Sequence, residues 1–190
     1  MSTPLTKLKT APAYLIMMAV VVLDQLSKSL VRMFMELQQG IPLLKNLLGN
    51  TFMLIYVQNT GAAFSLGFHS DLVNRIFFIS VTILALFFIV YLLRRSQHRI
   101  QVYAFGLVLG GAFGNLVDRV LYGGVTDFFS VDFPDFIMER FPIFNIADSS
   151  IFIAVCLLLI DMIFIKDPLP PSETASSAEP QLTEINTKEI

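Results

Sequence analysis

The chain has 190 residues, of which 55% are hydrophobic and only 15% charged, and its mean hydropathy is +0.69. Soluble domains carry about 25% charged residues and no long uncharged apolar runs, so this composition excludes an ordinary soluble globule and fits a single membrane domain. The formal charge of −2 averages two unlike parts, because residues 167–190 hold five acids and one lysine while residues 1–166 are net basic.

Those bases sit at the ends of apolar runs and form no basic face, so there is no nucleic-acid footprint. One cysteine, Cys156, lies inside an apolar run, which rules out a disulfide framework or a thiolate metal cluster within the chain. The two histidines are His69, in a loop, and His98, in an Arg-rich turn, and neither stands in a triad-like or H-E-x-x-H arrangement, so triad and zinc hydrolase chemistry is disfavoured. Carboxylates are the chemistry that remains.

A bilayer-crossing helix needs about 20 mostly apolar residues, and four stretches qualify. The first runs over about 13–35. Its uncharged part ends at Leu23 behind Lys7 and Lys9, which also suits a signal-peptide core. No small-x-small cleavage pattern follows, and the apolar pattern continues past Asp24 to Met35, so a retained span is expected. Within it Asp24, Lys28 and Arg32 recur every four residues and share one face. Two accounts stay open: an Asp24–Lys28 ion pair with Lys28 and Arg32 snorkelling outward, or a face turned to a substrate.

Residues 41–68 are too short and interrupted to span and too apolar for a solvated loop. With Gly49-Asn50 ahead of Phe52-Met53-Leu54-Ile55-Tyr56-Val57, they predict a small β-cradle on the membrane surface. The second span, 76–93, has no charge. The third, about 101–120, carries Gly106, Gly110 and Gly114 as a small-xxx-small stripe for close helix packing. Beside it Gly111, Asn115, Asp118 and Tyr122 make a polar face, and Asp118 with Arg119 reads best as a self-satisfied network at the helix end.

Gly123-Gly124 then breaks the helix, and Val125-Thr126-Asp127-Phe128-Phe129 follows as an extended apolar piece. An aspartate between valine and a phenylalanine pair is out of place in a solvated loop. The fourth span, about 146–165, opens with Asn145 and Asp148 in the spacing of a capping box, and an acid suits a helix N-terminus. On pattern alone, capping explains Asp148 better than catalysis. Residues 167–190, rich in Pro, Ser, Thr and Glu, predict a disordered tail.

The basic residues flanking the spans set the orientation. Lys7 and Lys9, then Arg94, Arg95 and Arg99, then Lys166 place both termini and the 94–100 turn in the cytoplasm, and residues 37–74 and 121–145 outside. Tyr14, Tyr91, Tyr103 and Tyr122 fall near the expected interfaces. Asp127 and Asp148 then end and begin structure on the same outer side. Two carboxylates a few ångströms apart cannot both ionise cheaply and share a proton, which is the arrangement that lets one activate water while the other serves the scissile carbonyl.

These residues resemble those of the bacterial signal peptidase II family, membrane aspartic proteases. The matching blocks are Asp24-Gln25-Leu26-Ser27-Lys28, Asn59-Thr60-Gly61-Ala62-Ala63-Phe64-Ser65, Gly110-Gly111 through Asp118-Arg119, Val125-Thr126-Asp127-Phe128, and Phe144-Asn145-Ile146-Ala147-Asp148. Five ordered blocks at the ends of four spans are specific where any one alone would not be. The resemblance implies an all-α membrane fold of four transmembrane helices with a small outer-surface β-cradle.

It also implies a catalytic pair at Asp127 and Asp148, with Asp24, Lys28, Asn59, Gly111, Asn115, Asp118, Arg119, Asn145 and Ala147 lining or supporting the site. The implied reaction is cleavage of diacylglyceryl-modified prolipoproteins before the lipidated cysteine, in the bacterial inner membrane, with no metal or cofactor. The expected partners are those lipid-modified substrates and membrane lipids, with the chain acting as a monomer. The alternative is a small proton-coupled carrier using Asp24, Lys28, Asp118 and Asp127 as a relay. It is disfavoured because the acids crowd at one face instead of crossing the membrane.

Overall fold

The computed structural model describes residues 9–43, 51–61, 70–132 and 141–165. Four long apolar helices dominate: α1 (Ala11–Phe34), α2 (Asp71–Leu93), α3 (Arg99–Tyr122) and α4 (Ile146–Phe164), each long and apolar enough to cross a membrane. Three short strands accompany them, β1 (Gly40–Pro42), β2 (Phe52–Asn59) and β3 (Val125–Val131). The four-helix membrane fold with a small sheet expected from the sequence is therefore what the chain adopts. Residues 44–50 and 62–68 of the expected cradle, His69, and the expected tail at 167–190 lie outside the described residues.

Helix α3 is the hub, because α1, α2 and α4 all pack on it and it is the most buried of the four. In a bilayer, close backbone approach replaces the hydrophobic drive between helices, and the glycine stripe supplies it. A Cβ on Gly106 would stand 2.7 Å from the Ala13 carbonyl oxygen, and one on Gly110 would stand 2.6 Å from Val20 Cβ. The partner of the stripe is thus α1. Gly111 lies on another face and meets α4, where a Cβ would collide with the Ala147 carbonyl and come within 2.6 Å of Ser150 Oγ.

The sheet runs β1-β2-β3, antiparallel throughout. The sequence places a surface sheet within 41–68 but does not reveal that its third strand comes from 125–131, after two intervening helices. Gly123, with φ 83°, ends α3 in the left-handed conformation that a side chain would strain. The chain then turns directly into β3. Asn59 pairs with Val125 and Val57 with Asp127, and the register shifts between Leu54 and Val57, a bulge of the sort found beside active sites.

A second connection joins β3 to the start of α4. Phe129 N donates to Phe144 O at 2.8 Å and Phe144 N returns to Phe129 O at 3.0 Å. The Phe52, Phe129 and Phe144 rings pack alongside, with centroids 5.7–5.8 Å apart. This bridge fixes the strand carrying Asp127 against the segment that leads into Asp148.

Candidate active site

Asn145 is the link between the two candidate carboxylates. It caps α4 by accepting from Asp148 N at 2.9 Å, while its own N–H donates to Asp148 Oδ2 at 3.2 Å. The same side chain donates to Asp127 Oδ1 at 2.7 Å. Asn59 on β2 donates to Asp127 Oδ2 at 3.1 Å, and Asn115 on α3 donates to Asp148 Oδ1 at 2.8 Å. Three asparagines therefore hold the two acids from three different elements. The capping box expected for Asn145 and Asp148 is present, and it also carries Asp148 toward Asp127.

Asp127 is 4% exposed. Burial, followed by the charge of Asp148, pushes its carboxyl up from 3.8 to about 7, against the lowering effect of the Asn59 and Asn145 hydrogen bonds and of Lys28. Desolvation outweighs hydrogen bonding here because a buried anion loses far more to water than two neutral amides return.

Behind this pair lies a charged layer between α1 and α3. Lys28 Nζ contacts Asp24 Oδ2 at 2.8 Å, Asn115 Oδ1 at 2.8 Å and Asp118 Oδ2 at 3.6 Å, and its side chain is fully buried. Lys28 does not snorkel: two carboxylates and an amide offer it more than the interface would. Nor does Arg32 turn to the interface; it donates to Asp118 Oδ1 at 3.3 Å and Thr126 Oγ1 at 2.8 Å, and stacks 4.1 Å over Tyr122.

Asp24 accepts from Ala147 N at 3.0 Å, placing an α1 carboxylate at the N-terminus of α4, where negative charge is favoured. Ala147 thus enters through its backbone and Gly111 through the space it leaves for that backbone. Arg119 stacks 5.3 Å from the Phe78 centroid, within electrostatic reach of Asp148, Asp127 and Asp118.

The expected pairing of Asp118 with adjacent Arg119 is not what forms: among the described residues Asp118 bonds to other elements instead. It accepts from Thr126 N at 2.8 Å and Gln25 Nε2 at 3.2 Å, besides Arg32 and Lys28. Because Thr126 immediately precedes Asp127, Asp118 positions the strand that carries it. Asp118→Asn is expected to lower the melting temperature by several degrees and reduce cleavage less than Asp127→Asn does. A loss as complete as that of Asp127→Asn, at unchanged melting temperature, would move Asp118 into the reacting pair.

Gln25 and Thr126 were not singled out from sequence, although both stand inside the quoted motifs. Gln25 Nε2 also reaches Asp24 Oδ2 and Gly114 O, tying α1 to α3. A separate cluster lies at the far end of the bundle, where His98 Nδ1 is 2.9 Å from Asp161 Oδ1 and Gln101 Nε2 donates to Asp161 Oδ2 at 2.6 Å. That pairing of a turn histidine with an α4 aspartate leaves no trace in residue spacing.

Fold and site together define a four-span membrane protein built around two carboxylates in a polar layer. Residues 16–164 match the signal peptidase (SPase) II family. The chain is 42% identical to the lipoprotein signal peptidase of Geobacter sulfurreducens over 80% of its length and 94% of that protein. It is likewise 42% identical to that of Brevibacillus brevis over 78% and 93%. Two solved structures of a bacterial membrane enzyme superpose with TM-scores of 0.70 and 0.72, at 32% and 29% identity, over 85% and 86% of this chain and 96% and 100% of theirs.

The chain belongs to the signal peptidase II family, and is accordingly an aspartic-type peptidase and a multi-pass bacterial membrane protein. The relatives lend no support to the proton-coupled carrier.

Proposed function

We propose that Asp127 and Asp148 are the catalytic dyad with which this enzyme removes signal peptides from prolipoproteins, cutting before a diacylglyceryl-modified cysteine. The observation that carries the assignment is Asn145, one side chain bonded to Asp127 and to the backbone of Asp148. Charge balance supports it. Among the described residues the layer holds three cations, Lys28, Arg32 and Arg119, against the anions Asp24 and Asp118, so a dyad sharing one proton makes this cluster neutral. An unprotonated dyad would leave an uncompensated charge next to the bilayer.

The chemistry follows from that single proton. Asp148, ionised, takes a proton from a water whose oxygen attacks the scissile carbonyl carbon. Asp127, protonated, donates to the carbonyl oxygen as negative charge develops there. As the C–N bond breaks, Asp148 passes the proton it took from water to the departing amine, and a hydroxyl of the tetrahedral species gives its proton back to Asp127, restoring the starting state. Asn59, Asn145 and Asn115 keep the carboxylates in place throughout, and Arg119 stands where it can stabilise developing charge.

The distribution of basic residues supports an outer-face dyad with both termini cytoplasmic. A substrate anchored in the membrane by its signal helix and acyl chains then presents its scissile bond at that depth. The reading needs neither metal nor cofactor, and takes the working unit as a monomer.

The test is cleavage of a purified diacylglyceryl-modified precursor by purified enzyme. The unmodified precursor is expected to remain intact, and equal cleavage of both would overturn the substrate assignment. Because the proton on Asp127 is lost near pH 7, kcat/KM is expected to fall as pH rises through about 7, approaching tenfold per unit well above it. A rate still flat at pH 9 would remove Asp127 as the proton donor.

A further inference from the structure

The bundle leaves one apolar face of its central helix uncovered. Both α1 and α2 pack on α3, yet they have no extensive contact with each other. Between them runs a groove of about 420 Å³ whose exposed lining is wholly apolar, with Met17 on one wall, Ile83, Phe87 and Val90 on the other, and Leu109 and Phe113 as its floor. Phe113 is 37% exposed midway along the most buried helix. This face lies away from Gly111 and Asn115, which look toward α4 and the dyad, so the groove is separate from the proposed catalytic site.

The groove ends in positive charge. Ile83, Phe87 and Val90 are spaced by four and three residues along one face of α2, and Arg94 continues the series four residues on. The helical turn persists there, since Arg94 N donates to Val90 O at 3.2 Å. Arg94, Arg95 and Arg99 are exposed, and none makes an ion pair among the described residues. Arg95 lies 4.6 Å over the Tyr91 ring, and helical spacing puts Arg94 on the groove side of α2, one turn beyond the lining residue Val90.

An apolar channel with an arginine one helical turn beyond its end matches a molecule with a hydrocarbon chain and an anionic head. Arginine binds phosphate oxygens by paired hydrogen bonds as well as by charge, and basic residues at a membrane face attract anionic lipids. We propose that this groove binds one acyl chain of an anionic phospholipid, with its phosphate held at Arg94, in the leaflet opposite the dyad.

The absence of tryptophan makes the test direct. Phe87→Trp puts a single reporter in the groove. Leu159→Trp on α4, at a comparable distance from its helix end and outside the groove, serves as the control. Each protein is reconstituted in phosphatidylcholine vesicles containing an equal fraction of brominated phosphatidylglycerol or of brominated phosphatidylcholine, and Trp quenching is compared. Precursor cleavage by each variant confirms folding.

At Phe87→Trp the anionic lipid is expected to be preferred roughly fivefold, the factor that one basic residue near the surface supplies. Adding Arg94→Gln should bring the preference close to one. The control should show no preference in either background. Equal quenching by the two lipids at Phe87→Trp, or a preference that survives Arg94→Gln, would overturn the proposal. So would quenching by neither lipid, which would mean that protein, such as a second copy of the chain, covers the groove.

Discussion

Asp127→Asn is expected to abolish precursor cleavage, by about a thousandfold or more, while leaving the protein at least as stable as the parent at alkaline pH. The loss of activity follows from removing the proposed proton donor of the pair. The stability effect has the less familiar sign. Asp127 binds its proton more tightly in the folded chain, at about 7 against 3.8. The folded state therefore holds more protons than the unfolded state between about pH 4 and pH 7. Stability contributed by this group falls as pH rises through that window, and is level above it.

An amide at this position never carries the buried charge. Against that gain stands the rearrangement of one hydrogen bond, from Asn59 or Asn145, worth about 1 kcal/mol. The melting temperature of the variant should exceed that of the parent at pH 8, with the difference shrinking toward pH 5. Asp148→Asn should be equally inactive, with only a small loss from the weakened cap. Full processing by either variant would dismantle the dyad, and a variant less stable than the parent at pH 8 would show that Asp127 is not carrying a buried charge there.

Lys28→Met is expected to be the most destabilising single change in the charged layer. It removes the cation that lies 2.8 Å from Asp24 and 3.6 Å from Asp118, all three side chains being fully buried. Stranding a buried charge in this way costs about 3–5 kcal/mol, or roughly 10 °C in melting temperature for a chain of this size. Asp118 keeps Arg32, whereas Asp24 retains, among the described residues, only the amides of Gln25 and Ala147. Adding Asp24→Asn to Lys28→Met should therefore restore part of the loss, a coupling that a double-mutant cycle measures directly. A fall below about 2 °C, or no recovery in the double variant, would mean that water reaches Lys28 and that the layer is not dry.

Much of this protein can be read without coordinates. Runs of uncharged apolar residues near 20 long determine helices in a bilayer, because backbone groups there have no other way to be satisfied. The four spans were legible for that reason. Polar side chains inside them stand out because each is costly, so Asp24, Lys28, Asn115 and Asp118 announce themselves. The capping box at Asn145 and Asp148 is local, and local geometry is written in adjacent residues.

What the chain order could not decide was partnership between elements. The spacing of Asp24, Lys28 and Arg32 shows a shared face but not that it turns inward to Asn115, Asp118 and Thr126. The glycine stripe says that a helix packs closely on it, not that the helix is α1. The extended piece around Asp127 does not declare itself the third strand of a sheet whose first strand starts at Gly40.

The same holds for the pair of aspartates. The pattern of basic residues leads to the expectation that both lie on one side of the membrane. Only the Phe129–Phe144 bridge and the reach of Asn145 bring them under one hydrogen-bonding side chain. The reason is physical: burial and mutual charge exist only once distant segments have packed. The raised proton affinity of Asp127, which gives that carboxylate its proposed role, therefore belongs to the tertiary structure and not to any stretch of sequence.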